Sequence, residues 1–163
     1  ASFLGFGSRE QDAVRKAGIL HDIGKIGVTT DLLCKEGKLT CEELEAIKRH
    51  TIIGEDICRP LVSMRGILSA IRSHHERWDG KGFPDGLQGE EIPLNARILS
   101  IADSFDAMIS QRPYRNGRSM DVVIAVFNNE KRTGQWDPSL LDQFVEMMDT
   151  MQYERMSGWS SLQ

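Results

Sequence analysis

The sequence predicts an all-α fold, and three observations carry that expectation. Apolar residues recur at helical spacing, no run alternates apolar and polar like a half-buried strand, and turn residues fall between the helical stretches. With 163 residues the chain has the size of one domain with a single core. The apolar share of 40% and the charged share of 27% are those of a globular protein rather than a disordered or fibrous one.

The elements follow in order. Val14, Ala17, Gly18, His21 and Lys25 share one face of a first helix, which Gly24 and Gly27 bring to a stop. Thr40-Cys41-Glu42-Glu43 is a capping box, and the helix it opens carries Leu44, Ile47 and His50 on one side. Arg59-Pro60 ends the helical stretch 53–58. A further helix over 64–78 aligns Ile67, Ile71, His74 and Trp78. Residues 79–93 hold too many Gly and Pro to be helical. A long helix over 94–110 turns Ile98, Ala102, Phe105 and Ile109 inward, and another covers 120–131. Asp137-Pro138 opens the last helix as N-cap and first helical proline, with Leu141, Phe144, Val145 and Met148 buried. Residues 1–8 read as a tag or non-native start, 9–150 as the domain and 151–163 as a C-terminal tail.

Charge and composition narrow the function. A net charge of -4 provides no general basic field for DNA or an anionic membrane. No stretch approaches the roughly 20 apolar residues of a membrane span. The first eight residues lack the charged-then-apolar order of a signal peptide. The three cysteines, Cys34, Cys41 and Cys58, are odd in number and form no CxxC pair, which argues for reduced, space-filling thiols and so for the cytoplasm as the default compartment.

The chain has four histidines, His21, His50, His74 and His75. His21 adjoins Asp22, His74 adjoins His75, and Asp103 sits on the long helix. Successive members are about one helix and one connection apart, so each helix of a bundle would deliver one or two ligands to a common centre. Imidazole and carboxylate together suit Mn, Fe or Zn better than Ca or Mg. Asp22, beside a histidine, is the natural carboxylate to bridge two metals. Such a pair can polarise a phosphoryl oxygen and steady a leaving oxygen. Each of these side chains taken singly is more often an ordinary hydrogen-bonded core or surface group. Together they point to metal, because burying several unpartnered polar groups costs about 1–3 kcal/mol each.

Several spans resemble the HD-GYP family of phosphohydrolases. They are His21-Asp22-Ile23-Gly24-Lys25, Lys48-Arg49-His50 with Gly54, His74 to Arg77, Trp78-Asp79-Gly80-Lys81-Gly82-Phe83-Pro84-Asp85-Gly86-Leu87, Gly89 to Pro93, Ala96 to Leu99, Ala102 to Ala107, and Arg112-Pro113-Tyr114-Arg115. The resemblance covers about residues 10–150. It implies an HD-domain helical bundle with a GYP-type loop and hydrolysis of cyclic di-GMP to the linear dinucleotide, in some members on to GMP. It implies two divalent transition metals, Fe or Mn, held by His21, Asp22, His50, His74, His75 and Asp103, with Asp22 as bridge. It gives Asp22 and Lys25 catalytic roles, with Lys25 on the scissile phosphate. Lys25 also reads as a helix-end cation. Arg112, Tyr114 and Arg115 correspond to residues near the ligand pocket, and otherwise form a solvated turn. The loop residues Gly82, Phe83 and Pro84 shape the site or meet a protein partner, and Phe83 stands where the family has Tyr. The loop glycines Gly80, Gly82 and Gly86 also permit positive φ angles.

The family's upstream helix, with its additional histidine, has no counterpart in the twenty residues before His21. That argues against a third metal. It also leaves open the face bearing Val14 and Ala17, a candidate surface for homo-oligomerisation. Beside the enzyme stands a second expectation, a truncated or degenerate module that binds metal, nucleotide or a protein partner with little turnover.

Overall fold

Helix α1, Ser8–Leu20, ends one residue before His21. The computed structural model describes residues 3–111 and 117–160, with side chains through residue 150. After α1 the chain enters a 3-10 turn, Ile23–Gly27, and then runs through α2 (Thr30–Leu33), α3 (Cys41–Lys48) and α4 (His50–Cys58). A second 3-10 segment, Val62–Ile67, leads into α5, Leu68–Ser73. The loop that follows contains a short 3-10 turn, Gly89–Glu91, and leads to α6, Leu94–Ile109. Helices α7 (Met120–Arg132) and α8 (Pro138–Ser160) complete the described chain. Among the described residues there is no strand, only an isolated antiparallel bridge between Asp79 and Gln88 that ties the two ends of the loop. The all-α expectation is met.

The predicted caps form. Thr40 Oγ1 accepts from the Glu43 amide at 3.3 Å, and Glu43 Oε2 accepts from the Thr40 amide at 2.8 Å. Asp137 Oδ1 accepts from the amides of Ser139 and Leu140 at 3.0 and 3.2 Å. Each cap satisfies amides that a helix start leaves without partners.

Two apolar clusters share α6. Ala17, Cys58, Ile67, Ala70, Ile71 and Leu99 form the first, joining α1, α4, α5 and α6. Ile101, Val123, Phe127, Trp136 and Leu141 form the second, joining α6 to α7 and α8. Fully burying one such Ile or Leu contributes about 1.5–3 kcal/mol. Helix α6 therefore buries two flanks rather than one stripe, which corrects the expected inward set. Leu99 and Ile101 are buried, whereas Ala102 and Ile109 lie between the flanks and face solvent. In α8 only Leu141 of the four expected residues is fully buried.

Three further expectations change. On α1, Ala17 is fully covered by its neighbours rather than left open, while Val14 is half-buried. The helix expected over 64–78 is divided into a 3-10 segment and α5, so His74 and His75 lie just past a helix end. Of the thiols, only Cys58 is buried, while Cys34 and Cys41 are exposed.

Candidate metal centre

The site forms where helices end. His21 and Asp22 occupy the turn between α1 and the Ile23–Gly27 segment, His50 opens α4, His74 and His75 follow α5, and Asp103 projects from the middle of α6. Lys25 thus does not continue the helix of His21, and His50 does not end the helix of Leu44. Breaks after Leu20 and after Lys48 separate them. The turn and α4 meet backbone to backbone at Gly24 and Gly54. A Cβ on Gly24 would lie 1.8 Å from the His50 carbonyl oxygen and 2.5 Å from the Gly54 amide nitrogen. This contact, open only to glycine at position 24, sets Asp22 against His50.

All six predicted ligands converge. One ligand atom from each of Asp22, His50, His74 and His75 falls within 4.8 Å of the others. His21 Nε2 lies 3.4 Å from Asp22 Oδ2 and 3.6 Å from Asp103 Oδ1, on the other side of Asp22. The Asp22 carboxylate therefore spans the cluster. Its Oδ1 faces His50 Nε2 at 3.4 Å, and its Oδ2 faces His21 and receives Lys25 Nζ at 2.5 Å.

Hydrogen bonds orient the rings. Nδ1 of His21, His50 and His74 lies 2.8, 2.7 and 2.7 Å from the carbonyl oxygens of Gly18, Ile47 and Ile71. Each carbonyl can only accept, so Nδ1 carries the proton and donates. In a neutral ring Nε2 then holds a lone pair aimed at the centre. The Nε2 atoms of His50 and His74 stand 3.4 Å apart, and both residues are buried. Asp22 Oδ1 is buried and has no hydrogen-bond partner. Lone pairs converging in this way repel one another unless a cation lies between them, so the donor set fits a divalent metal.

Protonation follows the same geometry. Burial, with His75 alongside, pushes His74 down to about 3. Burial and His50 push His75 down to about 4, and burial lowers His50. These rings are neutral near pH 7, the form that ligates metal. His21 is raised to about 10 by its hydrogen bonds to Asp103 and then Asp22. Burial alone would raise Asp22, but His21 and Lys25 together bring its carboxyl below the ordinary range. His21 likewise lowers Asp103. The two carboxylates thus stabilise positive charge on His21.

The loop after His75 packs against the site. The Phe83 ring centre is 4.8 Å from that of His75, and the Phe83 amide donates to the His75 carbonyl at 3.2 Å. Pro84 follows through a cis peptide bond. Gly80 and Gly86 adopt positive φ as expected, but Gly82 does not. Gly82 is required for another reason, since a Cβ there would come within 2.4 Å of the Glu76 Cα and the Arg77 amide nitrogen. Arg112, Tyr114 and Arg115 lie outside the described residues.

Sequence reasoning did not single out the groups that hold this loop. Arg72 grips Asp85 through two nitrogens, each at 2.7 Å, and reaches Glu55 of α4 at 2.8 Å. Glu76, only 4% exposed, accepts from the amides of Asp85 and Gly86 at 2.7 and 3.1 Å. Arg77 pairs with Asp79 and donates to Gln135 at 2.8 Å. The signal available in the sequence was the density of charge at 72–85 amid turn residues.

A helical bundle thus gathers four histidines and Asp22 at its inner helix ends, with Asp103 reaching them from the middle of α6. The HD domain family model matches residues 1–140, and the chain belongs to that family. Its relatives bear out the resemblance to the HD-GYP branch. The chain is 43% identical over 148 residues to the cyclic di-GMP phosphodiesterase response regulator RpfG of Xanthomonas campestris, covering 89% of this chain and 39% of that protein. It is 40% identical over 139 residues to a cyclic di-GMP phosphodiesterase of Thermotoga maritima, covering 82% of this chain and 37% of the relative. It is 35% identical over 157 residues to 3'3'-cGAMP-specific phosphodiesterase 1 of Vibrio cholerae, covering 96% of this chain and 36% of the relative. The chain thus spans well under half the length of these relatives. Among solved structures, the HDG"Y"P protein Bd1817 of Bdellovibrio bacteriovorus superposes with a TM-score of 0.68 at 19% identity, covering 90% of this chain and 46% of that one, which establishes the shared fold. No helix among the described residues is long and apolar enough to cross a membrane.

Proposed function

We propose that this domain is a metal-dependent phosphodiesterase that hydrolyses cyclic di-GMP to linear pGpG, and in a second step to GMP. The observation that carries the reading is the Asp22 carboxylate, with one oxygen facing His50 and the other facing His21 and Lys25. His50, His74 and His75 would hold one metal, His21 and Asp103 the other, and Asp22 would serve both. Iron and manganese suit this mixed imidazole and carboxylate set. Two bound cations would supply Lewis-acid stabilisation of the phosphoryl oxygens and an activated water.

The chain's own groups do the rest. Carbonyls 18, 47 and 71 fix three imidazoles with Nε2 inward, so ligation requires no reorganisation of those rings. Lys25 stands at the open edge, its side chain 42% exposed, and holds its ammonium against Asp22 Oδ2. From there it can turn to a non-bridging oxygen of the scissile phosphate and offset the charge that develops as phosphorus becomes five-coordinate. Hydrolysis adds the oxygen of water to phosphorus and releases the 3′ oxygen, which takes up a proton. Arg112 and Arg115 are assigned to the flanking phosphate or a guanine edge, and Tyr114 to base stacking. The proposed compartment is the cytoplasm, where a soluble dinucleotide would reach the site.

Anaerobically purified protein loaded with Mn²⁺ or Fe²⁺ and offered cyclic di-GMP and 3'3'-cGAMP in parallel tests the proposal. Metal-dependent pGpG from cyclic di-GMP is the expected product. Faster turnover of 3'3'-cGAMP would reassign the substrate within the same chemistry, as the names of several relatives allow. Metal binding without turnover of either would leave a binding module.

A further inference from the structure

The histidines of the centre are not held alike. His21, His50 and His74 each anchor Nδ1 on the carbonyl three residues earlier. Among the described residues, no hydrogen bond holds a ring nitrogen of His75. Its ring is instead flanked by His74, at 4.1 Å between centres, and by Phe83 at 4.8 Å with an angle of 31° between planes. An imidazole free to turn about its χ angles presents its lone pair to the metal only part of the time. The fixing of this ring therefore falls to packing, and so to whatever fixes Phe83.

We propose that Glu76 is a positioning residue that seats the Phe83 ring on His75 and thereby sets the affinity of the metal His75 ligates. The inference rests on the reading of His75 as a ligand. Glu76 follows His75 directly, and its carboxylate is buried beneath the loop. Its Oε1 gathers the amides of Asp85 and Gly86, the residues just beyond Phe83-Pro84. At the near side of the ring the Phe83 amide is tied to the His75 carbonyl. The aromatic residue is thus fastened on both sides to the segment it must cover. Close packing of Gly82 on the Glu76 backbone leaves the loop no slack between these ties. Arg72 reinforces the far end by joining Asp85 to Glu55 of α4, but its grip lies on the exposed side of the loop. Glu76 lies between the ligand and the loop that orients it. Two amides converging on one buried acceptor oxygen hold the loop in a specific geometry.

Titration of the apoprotein with Mn²⁺ alone, joined to long-range ¹H–¹⁵N spectra of the histidine rings, tests the proposal without any turnover. Glu76→Ala and Phe83→Ala are expected to weaken one Mn²⁺ site by about tenfold or more, the scale of losing an outer-shell partner. Both are expected to average the two tautomers of His75 while His50 and His74 keep Nδ1 protonated. Glu76→Gln retains an acceptor for both amides, and Phe83→Tyr retains the ring, so both should bind Mn²⁺ like the parent. If Glu76→Ala does not fold, Phe83→Ala and the two conservative variants decide. A folded Phe83→Ala with unchanged His75 signals and unchanged Mn²⁺ affinity overturns the proposal, as does loss of affinity in Phe83→Tyr equal to that in Phe83→Ala. Failure of the parent to hydrolyse a cyclic dinucleotide would remove the proposed activity and leave these measurements intact.

Discussion

Gly24→Ala is the substitution most sharply specified by the backbone. The new Cβ would sit 1.8 Å from the His50 carbonyl oxygen and 2.5 Å from the Gly54 amide nitrogen. Carbon and oxygen need about 3.2 Å or more, so the turn and α4 must separate by roughly an ångström, since neither colliding atom can rotate away. Overpacking of this kind costs about 1–3 kcal/mol, and the upper end applies where backbone meets backbone. At about 2–4 °C per kcal/mol for a domain of this size, the melting temperature should fall by roughly 6–12 °C. The same separation pulls Asp22 from His50, and a displacement of about 1 Å in a catalytic constellation costs about 100-fold in rate. Thermal unfolding by circular dichroism, Mn²⁺ titration and turnover would follow the three effects. Gly54→Ala should be milder, because its Cβ meets the Ile71 side chain first, at 3.0 Å. A Gly24→Ala protein that melts within about 2 °C of the parent and binds metal normally would show that the turn and α4 do not meet this closely, since such overpacking cannot be silent.

Other expectations follow from the same geometry. His74→Ala and His75→Ala should each lower bound metal per chain, measured by elemental analysis, and unchanged content in both would dissolve the centre. Lys25→Ala should keep its metal but lose about 100- to 1,000-fold in turnover, the usual cost of one transition-state charge partner; full activity would return Lys25 to a helix-end cation. Asp79 is held down to about 2 by Arg77, so its contribution to stability is complete above its unfolded pKa near 4 and fades as pH falls towards 2. Asp79→Asn should therefore cost the same stability from pH 5 to 7 and progressively less below pH 4, by denaturant melts across that range. A cost independent of pH would count against the Arg77 pair.

Much of the site was legible because its chemistry needs rare residue types in an ordered series. All four histidines enter the cluster, and the adjacent carboxylates Asp22 and Asp103 come with them. Helix boundaries were less legible. The periodicity that carried α1 through to Lys25 and a single helix over 64–78 does not register a 3-10 turn, whose three-residue repeat keeps i and i+3 on one side much as an α-helix does. Those breaks shape the site, since side chains at helix ends can be turned inward independently of the helix face. The inward face of α6 was misjudged because a helix packed on two flanks carries apolar residues around most of its circumference. The ties of the loop were invisible for a different reason. Glu76 and Arg72 are charged side chains of a kind usually found solvated, and their partners are backbone amides or residues up to 17 positions away.

If Asp22 serves two metals, as we propose, turnover requires both positions to be filled. The measurement is turnover of cyclic di-GMP by apoprotein as Mn²⁺ is added in known equivalents under anaerobic conditions, with bound metal counted in the same samples. Little product is expected at the first equivalent and a steep rise on the second, with no product in the presence of chelator. Full turnover at one equivalent, or turnover that survives the chelator, would contradict it.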